Sequence, residues 1–280
     1  MPNTKEYNAE YYKKNKERIL AQQQEYQQKN TEHCRLLERI ITKKKSQNLL
    51  NNTTQSLLSQ EILNIDLWNR WFNKKNKPER HICYNMSSKD AFDIMKSGCF
   101  YCGELALTLD RLDSTKEHTL DNCVGCCLDC NRGKGATDPI TFILQAVYRR
   151  TFVYYDDDDI WYSQKIKPQF SMYKKKVDKQ GRAFGLSVGQ FENFIKNPCH
   201  YCKRMPVKFF GIDKIYPDDG YVEGNIVTAC ANCNRAKWDQ DPEDFTLRDL
   251  RITQRYLDGF FDNISNIPKN VSHHRLRSKL

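Results

Sequence analysis

Apolar residues recur at helical or strand spacing in only part of the chain, and the remainder is polar. Residues 1–61 are rich in Lys, Asn and Gln, and they show helical apolar spacing only locally, at positions 36–41. This pattern predicts a polar helical arm rather than a core. Packing is predicted to begin within residues 62–72, which contain two tryptophans.

Two serines mark the beginning of similar patterns in the two halves of the chain. Ser187-x-x-Gln190 has the spacing of a helix capping box, and Ser87-x-x-Asp90 is a weaker version of it. Each predicts a short helix that leads into a cysteine pair. A further helical pattern at residues 140–150 is interrupted by an acidic stretch at residues 154–159, which indicates a connector.

The two halves are copies of one unit. Residues 99–134 and 199–237 carry matching residues in the same order, and from the aspartate onward their register needs no gap. The spacing predicts a helix, a cysteine knuckle, a hairpin and a helix in each copy. The matched pairs are Cys99 and Cys199, Cys102 and Cys202, Asp110 and Asp213, Asn122 and Asn225, Cys127 and Cys230, Cys130 and Cys233, and Asn131 and Asn234.

The repeat divides the chain into five parts. We interpret them as a polar arm (1–61), a first module (62–150), an acidic connector (151–169), a second module (170–262) and a basic tail (263–280). The connector predicts separate cores, so that loss of the second metal site would leave much of the first module folded.

The net charge and the cysteine content indicate what kind of partner the protein binds and in which compartment it resides. The chain has 45 Lys and Arg against 35 Asp and Glu, a net charge of +10, which favours a polyanionic partner. It has no apolar run of the roughly 20 residues that a membrane span needs, and its start is polar. We therefore expect an intracellular protein of a reducing compartment (cytoplasm, nucleus or virion), neither secreted nor bound to a membrane.

Paired cysteines predict two zinc sites. A Cys-x-x-Cys knuckle places two sulfurs on one ion, and two such knuckles complete a tetrahedron. Because all four ligands are thiolates, no position is left for a reactive water, and the ions are expected to be structural. The predicted ligands are Cys99, Cys102, Cys127 and Cys130 in the first copy and Cys199, Cys202, Cys230 and Cys233 in the second.

A second Cys-x-x-Cys pair in the first copy makes its ligand set ambiguous. Cys123 and Cys126 directly precede Cys127, but their counterparts in the second copy are Ile226 and Ala229, which bind no metal. The repeat therefore predicts that these two cysteines are packed thiols. Cys34 and Cys83, which have no partner at ligand spacing, are interpreted as structural.

The motifs resemble the zinc-bearing HNH endonucleases of phages and large viruses. The resemblance covers about 40 residues in each copy and rests in the second copy on Gly-Ile-Asp-Lys-Ile at 211–215, Gly-Tyr-x-x-Gly-Asn at 220–225 and Cys-x-x-Cys-Asn-x-x-Lys at 230–237. It implies an α+β chain with two tandem treble-clef (ββα-metal) modules and helical extensions. It also implies DNA rather than RNA as the partner.

The resemblance further implies a catalytic centre in each copy. Asp110 with Asn131, and Asp213 with Asn234, stand where the family places ligands of a catalytic ion such as Mg²⁺ or Mn²⁺. The middle asparagines, which brace the hairpin in the family, are Asn122 and Asn225.

The copies depart from the family directly after the aspartate. The family usually has a histidine there as general base, whereas this chain has Arg111 and Lys214. Both can bind phosphate instead. The basic residues expected to face nucleic acid are Arg111, Arg132 and Lys134 in the first copy and Lys214, Arg235 and Lys237 in the second.

These observations predict a zinc-stabilised nucleic-acid-binding protein in which catalysis is weakened or lost. One alternative is an active metal-dependent DNA endonuclease in which the attacking water is activated by the metal alone or by Asp113 or His118. The other is an architectural or docking component of a large nucleoprotein or viral assembly, with protein partners held through the N-terminal arm.

Overall fold

The computed structural model describes residues 84–152, 160–164, 166–179, 184–264 and 267–272. All of them belong to a unit that spans residues 63–280. Several predictions concern residues outside these ranges, namely those for the N-terminal arm, the acidic stretch, Cys34 and Cys83.

The first module contains a hairpin between short helices. A parallel pair of two-residue strands, β1 and β3, lies beside an antiparallel hairpin of β2 and β4. The elements are β1 Tyr84–Asn85, α1 Ser88–Lys96, β2 Thr108–Arg111, β3 His118–Thr119, β4 Cys123–Cys126, α2 Leu128–Lys134 and α3 Pro139–Thr151.

The second module repeats the order of a short helix, an antiparallel hairpin and two further helices, with an additional helix before them. Its antiparallel hairpin pairs Asp213 with Val227, as the first hairpin pairs Asp110 with Val124. The described part of the chain thus has small sheets and short helices, and the α+β class is confirmed. The elements are α4 Phe170–Lys179, α5 Val188–Phe194, β5 Gly211–Lys214, β6 Ile226–Ala229, α6 Ala231–Lys237 and α7 Pro242–Leu257.

Both predicted capping boxes are present. The hydroxyl of Ser87 accepts from the amide of Asp90 at 3.1 Å, and the Asp90 carboxylate accepts from the Ser87 amide at 3.3 Å. Ser187 and Gln190 make the same exchange at 3.3 and 2.9 Å. Because a capping box satisfies amides that the first helical turn leaves unpaired, it fixes where α1 and α5 begin.

The prediction of separate cores is wrong. Each module has a small cluster of its own around its hairpin, but a larger hydrophobic cluster contains residues of both modules, including Phe142 from α3 and Phe245 from α7. Equivalent helices pack on each other across this core, α2 on α6 and α3 on α7. Contacts between equivalent surfaces are the mark of an isologous interface, here between two halves of one chain.

Close approach of α2 and α6 depends on a glycine. A Cβ added at Gly133 would lie 2.7 Å from the carbonyl oxygen of Ala236, a distance that forces the backbones apart. Ala236 is the residue that corresponds to Gly133 in the second copy. At this point of the interface, α2 therefore has no side chain, and α6 contributes the methyl group of Ala236.

A buried ion pair joins α3 to α7. The guanidinium of Arg149 donates from Nε to Asp249 Oδ2 at 2.6 Å and from Nη2 to Oδ1 at 3.1 Å, and both side chains are fully buried. Burial opposes ionisation of Asp249, but the neighbouring Arg149 outweighs it and lowers the pKa of the carboxyl below its usual value. The counterparts of this pair, Ala146 and Ile252, are apolar, so the polar contact exists on one side only.

Segments interpreted as connector and tail also contribute to the fold. Ile160 and Trp161, within the predicted connector, are buried in the shared core, and the carbonyl of Ile160 accepts from Gln145 at 2.6 Å. From the tail, the amide of Asn270 donates to the carboxylate of Asp138 at 2.9 Å. The described parts of both segments therefore hold the modules together rather than merely linking or following them.

Candidate metal centres and the buried aspartates

The eight predicted zinc ligands gather into two clusters. In each module a knuckle before the hairpin meets a second knuckle at the start of the helix that follows it, and all four sulfurs lie within 4.8 Å of one another. The clusters are Cys99, Cys102, Cys127 and Cys130, and Cys199, Cys202, Cys230 and Cys233.

The sulfur spacing fits a tetrahedral zinc ion. Zn–S bonds of about 2.3 Å place tetrahedral sulfurs about 3.8 Å apart. The Sγ atoms of Cys102 and Cys127 are 3.7 Å apart, and those of Cys202 and Cys230 are 3.9 Å apart. Two structural metal ions, one in each module, are therefore compatible with the thiols, and thiolate quartets favour zinc.

Local structure supports thiolates at these positions. Cys127 and Cys230 are the N-cap residues of α2 and α6, and each sulfur accepts from an amide of the first turn, Cys130 at 3.3 Å and Cys233 at 3.4 Å. Amides and the positive end of a helix stabilise a negative sulfur.

The two additional cysteines lie outside the first quartet. Cys123 and Cys126 are buried in β4, with Cys126 directly before the ligand Cys127. Burial raises the pKa of the Cys123 thiol to about 12, so this side chain remains protonated at neutral pH.

We expect the purified protein to contain two zinc ions per chain, and to keep both when Cys123 or Cys126 is replaced by serine. Neither thiol belongs to the quartet, so neither substitution removes a ligand. The measurement is elemental analysis after dialysis against a weak chelator. Loss of one ion from Cys126→Ser would show that the ligand set of the first module is misassigned.

The aspartate of the first hairpin is held by two protein groups. Asp110, only 5% exposed, accepts from the Tyr101 hydroxyl at 2.7 Å. The ammonium of Lys134 lies 3.1 Å from Oδ1 and 3.0 Å from Oδ2, and it also donates to the carbonyl of Arg111 at 3.0 Å. Burial raises the pKa of Asp110, and the ammonium and the hydroxyl oppose that rise.

The second module repeats this arrangement with a longer ion pair. Asp213 accepts from the Tyr201 hydroxyl at 2.8 Å, and the Lys237 ammonium is 3.6 Å from the carboxylate. Lys237 also donates to the carbonyl of Lys214 at 2.9 Å. Burial raises the pKa of Asp213 as well. Each aspartate thus has a protein cation beside it.

The asparagines hold the hairpins in both copies. Asn122 accepts from the amide of Asp113 at 2.9 Å and donates to its carbonyl at 3.0 Å, and Asn225 makes the same two bonds with Tyr216, both at 2.9 Å. The helix asparagines attach α2 and α6 to the preceding strand, because Asn131 donates to the Leu109 carbonyl at 3.0 Å and Asn234 to that of Ile212 at 3.2 Å.

The structure divides the predicted phosphate-binding residues into two groups. Lys134 and Lys237 are fully buried and bind their aspartates, so the prediction that they face nucleic acid needs correction. Their aliphatic stems pack inside the module and their charge is neutralised there.

The other four basic residues lie at or near the surface. Arg132 is exposed, and Arg111, Lys214 and Arg235 are half-buried. Arg111 donates to the carbonyl of Lys116 at 2.8 Å, and Lys214 donates to that of Pro217. Arg111 and Lys214, the residues directly after the two aspartates, therefore each reach the loop of their own hairpin.

The substitute bases considered for catalysis have other contacts. Asp113 accepts from the backbone amide of Thr115 at 2.9 Å and from its hydroxyl at 2.5 Å. The ring of His118 packs edge-on against Tyr84, with centroids 4.8 Å apart. Both side chains thus contribute to the structure of the loop between β2 and β4.

Sequence reasoning missed the two tyrosines. Tyr101 and Tyr201 occupy the same place in the repeat, the residue before the second knuckle cysteine, and both are buried. Their recurrence in a Cys-x-Tyr-Cys pattern was the available signal. Their hydrogen bond to the aspartate links each cysteine cluster to its hairpin, across 9 residues of chain in the first module and 12 in the second.

Among the helices that the structure describes, none has the length and apolar character that a membrane span requires.

Comparison with known proteins finds a viral relative. No family model and no solved structure matches this chain. "Uncharacterized protein R423" of Acanthamoeba polyphaga mimivirus is 25% identical over 179 residues, which cover 61% of this chain and 34% of that protein. The chain therefore spans about a third of the length of this relative, and it is similar to a protein of a large virus.

Proposed function

We propose that this protein is a zinc-stabilised nucleic-acid-binding protein made of two HNH-like modules in which a buried lysine has replaced the catalytic metal. The observation that carries the proposal is the contact between aspartate and lysine in both copies, at 3.0 Å for Asp110 and 3.6 Å for Asp213.

The argument against a catalytic metal is electrostatic. A Mg²⁺ or Mn²⁺ ion needs an ionised carboxylate whose charge is not neutralised by another cation. Each aspartate is already paired with an ammonium group in a buried site. A divalent ion placed beside Lys134 would meet strong repulsion, because charges in a poorly solvated site are weakly screened. The aspartate, lysine and tyrosine thus connect the hairpin to the helix that follows it.

The argument for nucleic acid rests on what lies at the surface of the same motif. Arg111, Lys214 and Arg132 follow the aspartates or the second knuckles, where the resembled family faces DNA, and the whole chain has a net charge of +10. Arginine and lysine at such positions suit phosphate oxygens. The zinc clusters then serve to fix the hairpin and helix that present them.

Replacing Arg111 and Lys214 with alanine is expected to weaken binding to unrelated duplexes by similar factors. The slope of log affinity against log salt concentration is negative, and each lost phosphate contact should reduce its magnitude by about 0.9. Fluorescence anisotropy over a range of salt concentrations measures both quantities. Lys174→Ala removes the same charge from an exposed position away from the motif and serves as the matched control. An unchanged salt slope in both variants would reject this surface.

A nicking assay with plasmid and Mg²⁺ or Mn²⁺ tests the loss of catalysis. We expect no cleavage by the parent, because Asp110 and Asp213, the aspartates at the predicted metal positions, each have a protein cation beside them. Cleavage that disappears in Asp110→Asn, a variant that keeps a hydrogen-bond acceptor for Tyr101, would instead establish an active endonuclease.

A further inference from the structure

The residue directly after helix α6 of the second module has a backbone conformation that suits glycine. Trp238 directly follows α6 with φ 56° and ψ −128°. Its counterpart after α2 is Gly135, with φ 57° and ψ −123°. The repeat thus requires the same turn twice, and one copy places an aromatic side chain where a Cβ is strained.

Packing does not account for this tryptophan. Its side chain is on the surface, with 38% of the residue exposed. The guanidinium of Arg235, one turn earlier on α6, lies over the indole with Cζ 4.6 Å from the ring centroid. Among the described residues, the buried Nε of Arg235 has no hydrogen-bond partner, and the indole face gives its guanidinium a cation–π contact.

We propose that Trp238, supported by Arg235, is a stacking platform for an unpaired nucleobase. This inference rests on the proposed function. A strained backbone that persists on an exposed aromatic residue indicates a role in binding rather than in folding. Indole rings stack on any base, and an adjacent guanidinium strengthens such a contact.

The neighbouring charge favours a base over a phosphate at this point. Asp239, the next residue, is exposed, and its carboxylate opposes the attraction that Arg235 would have for a phosphate. An uncharged base is not repelled by this carboxylate. Since the first module has Gly135 in this position, the platform makes the two copies unequal, with phosphate contacts in both and a base contact in the second alone.

The test compares single-stranded oligothymidylate of about 12 nucleotides with a duplex of the same length. Trp238→Gly should lower affinity for the single strand about tenfold and change affinity for the duplex less than twofold. Trp238→Phe, which keeps an aromatic face, should lose less. Fluorescence anisotropy with labelled strands gives both affinities.

Thermal unfolding separates a binding role from a structural one. Trp238→Gly should raise the midpoint by about 2–4 °C, because it removes backbone strain. Gly135→Ala, which introduces a Cβ at φ 57°, should lower it. A lower midpoint for Trp238→Gly would identify the indole as a packing residue and overturn the proposal.

The binding outcomes distinguish this inference from the proposed function. If the parent binds both nucleic acids and Trp238→Gly binds the single strand equally well, the platform is wrong and the nucleic-acid-binding function stands. If the parent binds neither, the proposed function fails and the platform fails with it.

Discussion

Cys202→Ser is expected to unfold both modules together. Structural zinc contributes about 10–16 kcal/mol to the folding of small domains, which is as large as the total stability of a typical domain or larger. Because the second quartet lies in a core that also contains Cys99, Phe142 and Tyr148 of the first module, losing it exposes the first module as well. Helices α3 and α7 would lose their shared interface.

Hydrogen exchange of the first hairpin measures this directly. We expect the amides of β2 and β4 to exchange rapidly in Cys202→Ser, although they lie in the other module. Cys123→Ser is the matched control, since it replaces a buried cysteine outside both quartets and should keep protection in both hairpins. Retained protection of β2 and β4 in Cys202→Ser would show that the modules fold independently.

Lys134→Met is expected to destabilise the protein by about 3–5 kcal/mol near pH 7.5, because it leaves the buried carboxylate of Asp110 without its cation. Removal of the ammonium lets burial raise the pKa of Asp110 further. Because burial already raises the pKa of Asp110 in the parent, the deficit should grow as pH rises above the parent's folded pKa, and it should shrink at lower pH, where the carboxyl is protonated in both proteins.

Two further variants control this experiment. Lys237→Met should cost less, since Lys237 lies 3.6 Å from Asp213, whereas the pair in the first module is 3.0 Å apart. The double variant Asp110→Asn/Lys134→Met should recover much of the lost stability, because no unpaired charge stays buried. Urea unfolding at pH 5.5 and pH 7.5 gives the free energies. A deficit that is equal at both pH values would mean that Lys134 stabilises by packing rather than by charge.

The same pair bears on catalysis. If the lysine occupies the place of a metal, the parent should bind two zinc ions and no Mn²⁺, and the double variant should still not cleave DNA. The predicted zinc sites do not depend on this pair, because their ligands are cysteine thiols alone.

Short-range features were predictable from the sequence. The capping boxes at Ser87 and Ser187 and the knuckles depend on residues three positions apart, and the strands of each hairpin pair residues 12 to 18 positions apart. The internal repeat gave each of these features a second example. The repeat also separated Cys123 and Cys126 from the ligands, because only ligand cysteines recur in both copies.

Long-range packing decided the rest. The sequence marked Lys134 and Lys237 as basic residues of a helix but could not show which way they point, and only the fold placed their ammonium groups against the aspartates. Nor could the acidic connector reveal that α2 packs on α6 and α3 on α7. The type of a residue limits what it can bind, but its burial and the charges beside it determine what it does bind. Those surroundings depend on residues far away in the sequence, about 100 positions in the case of Arg149 and Asp249.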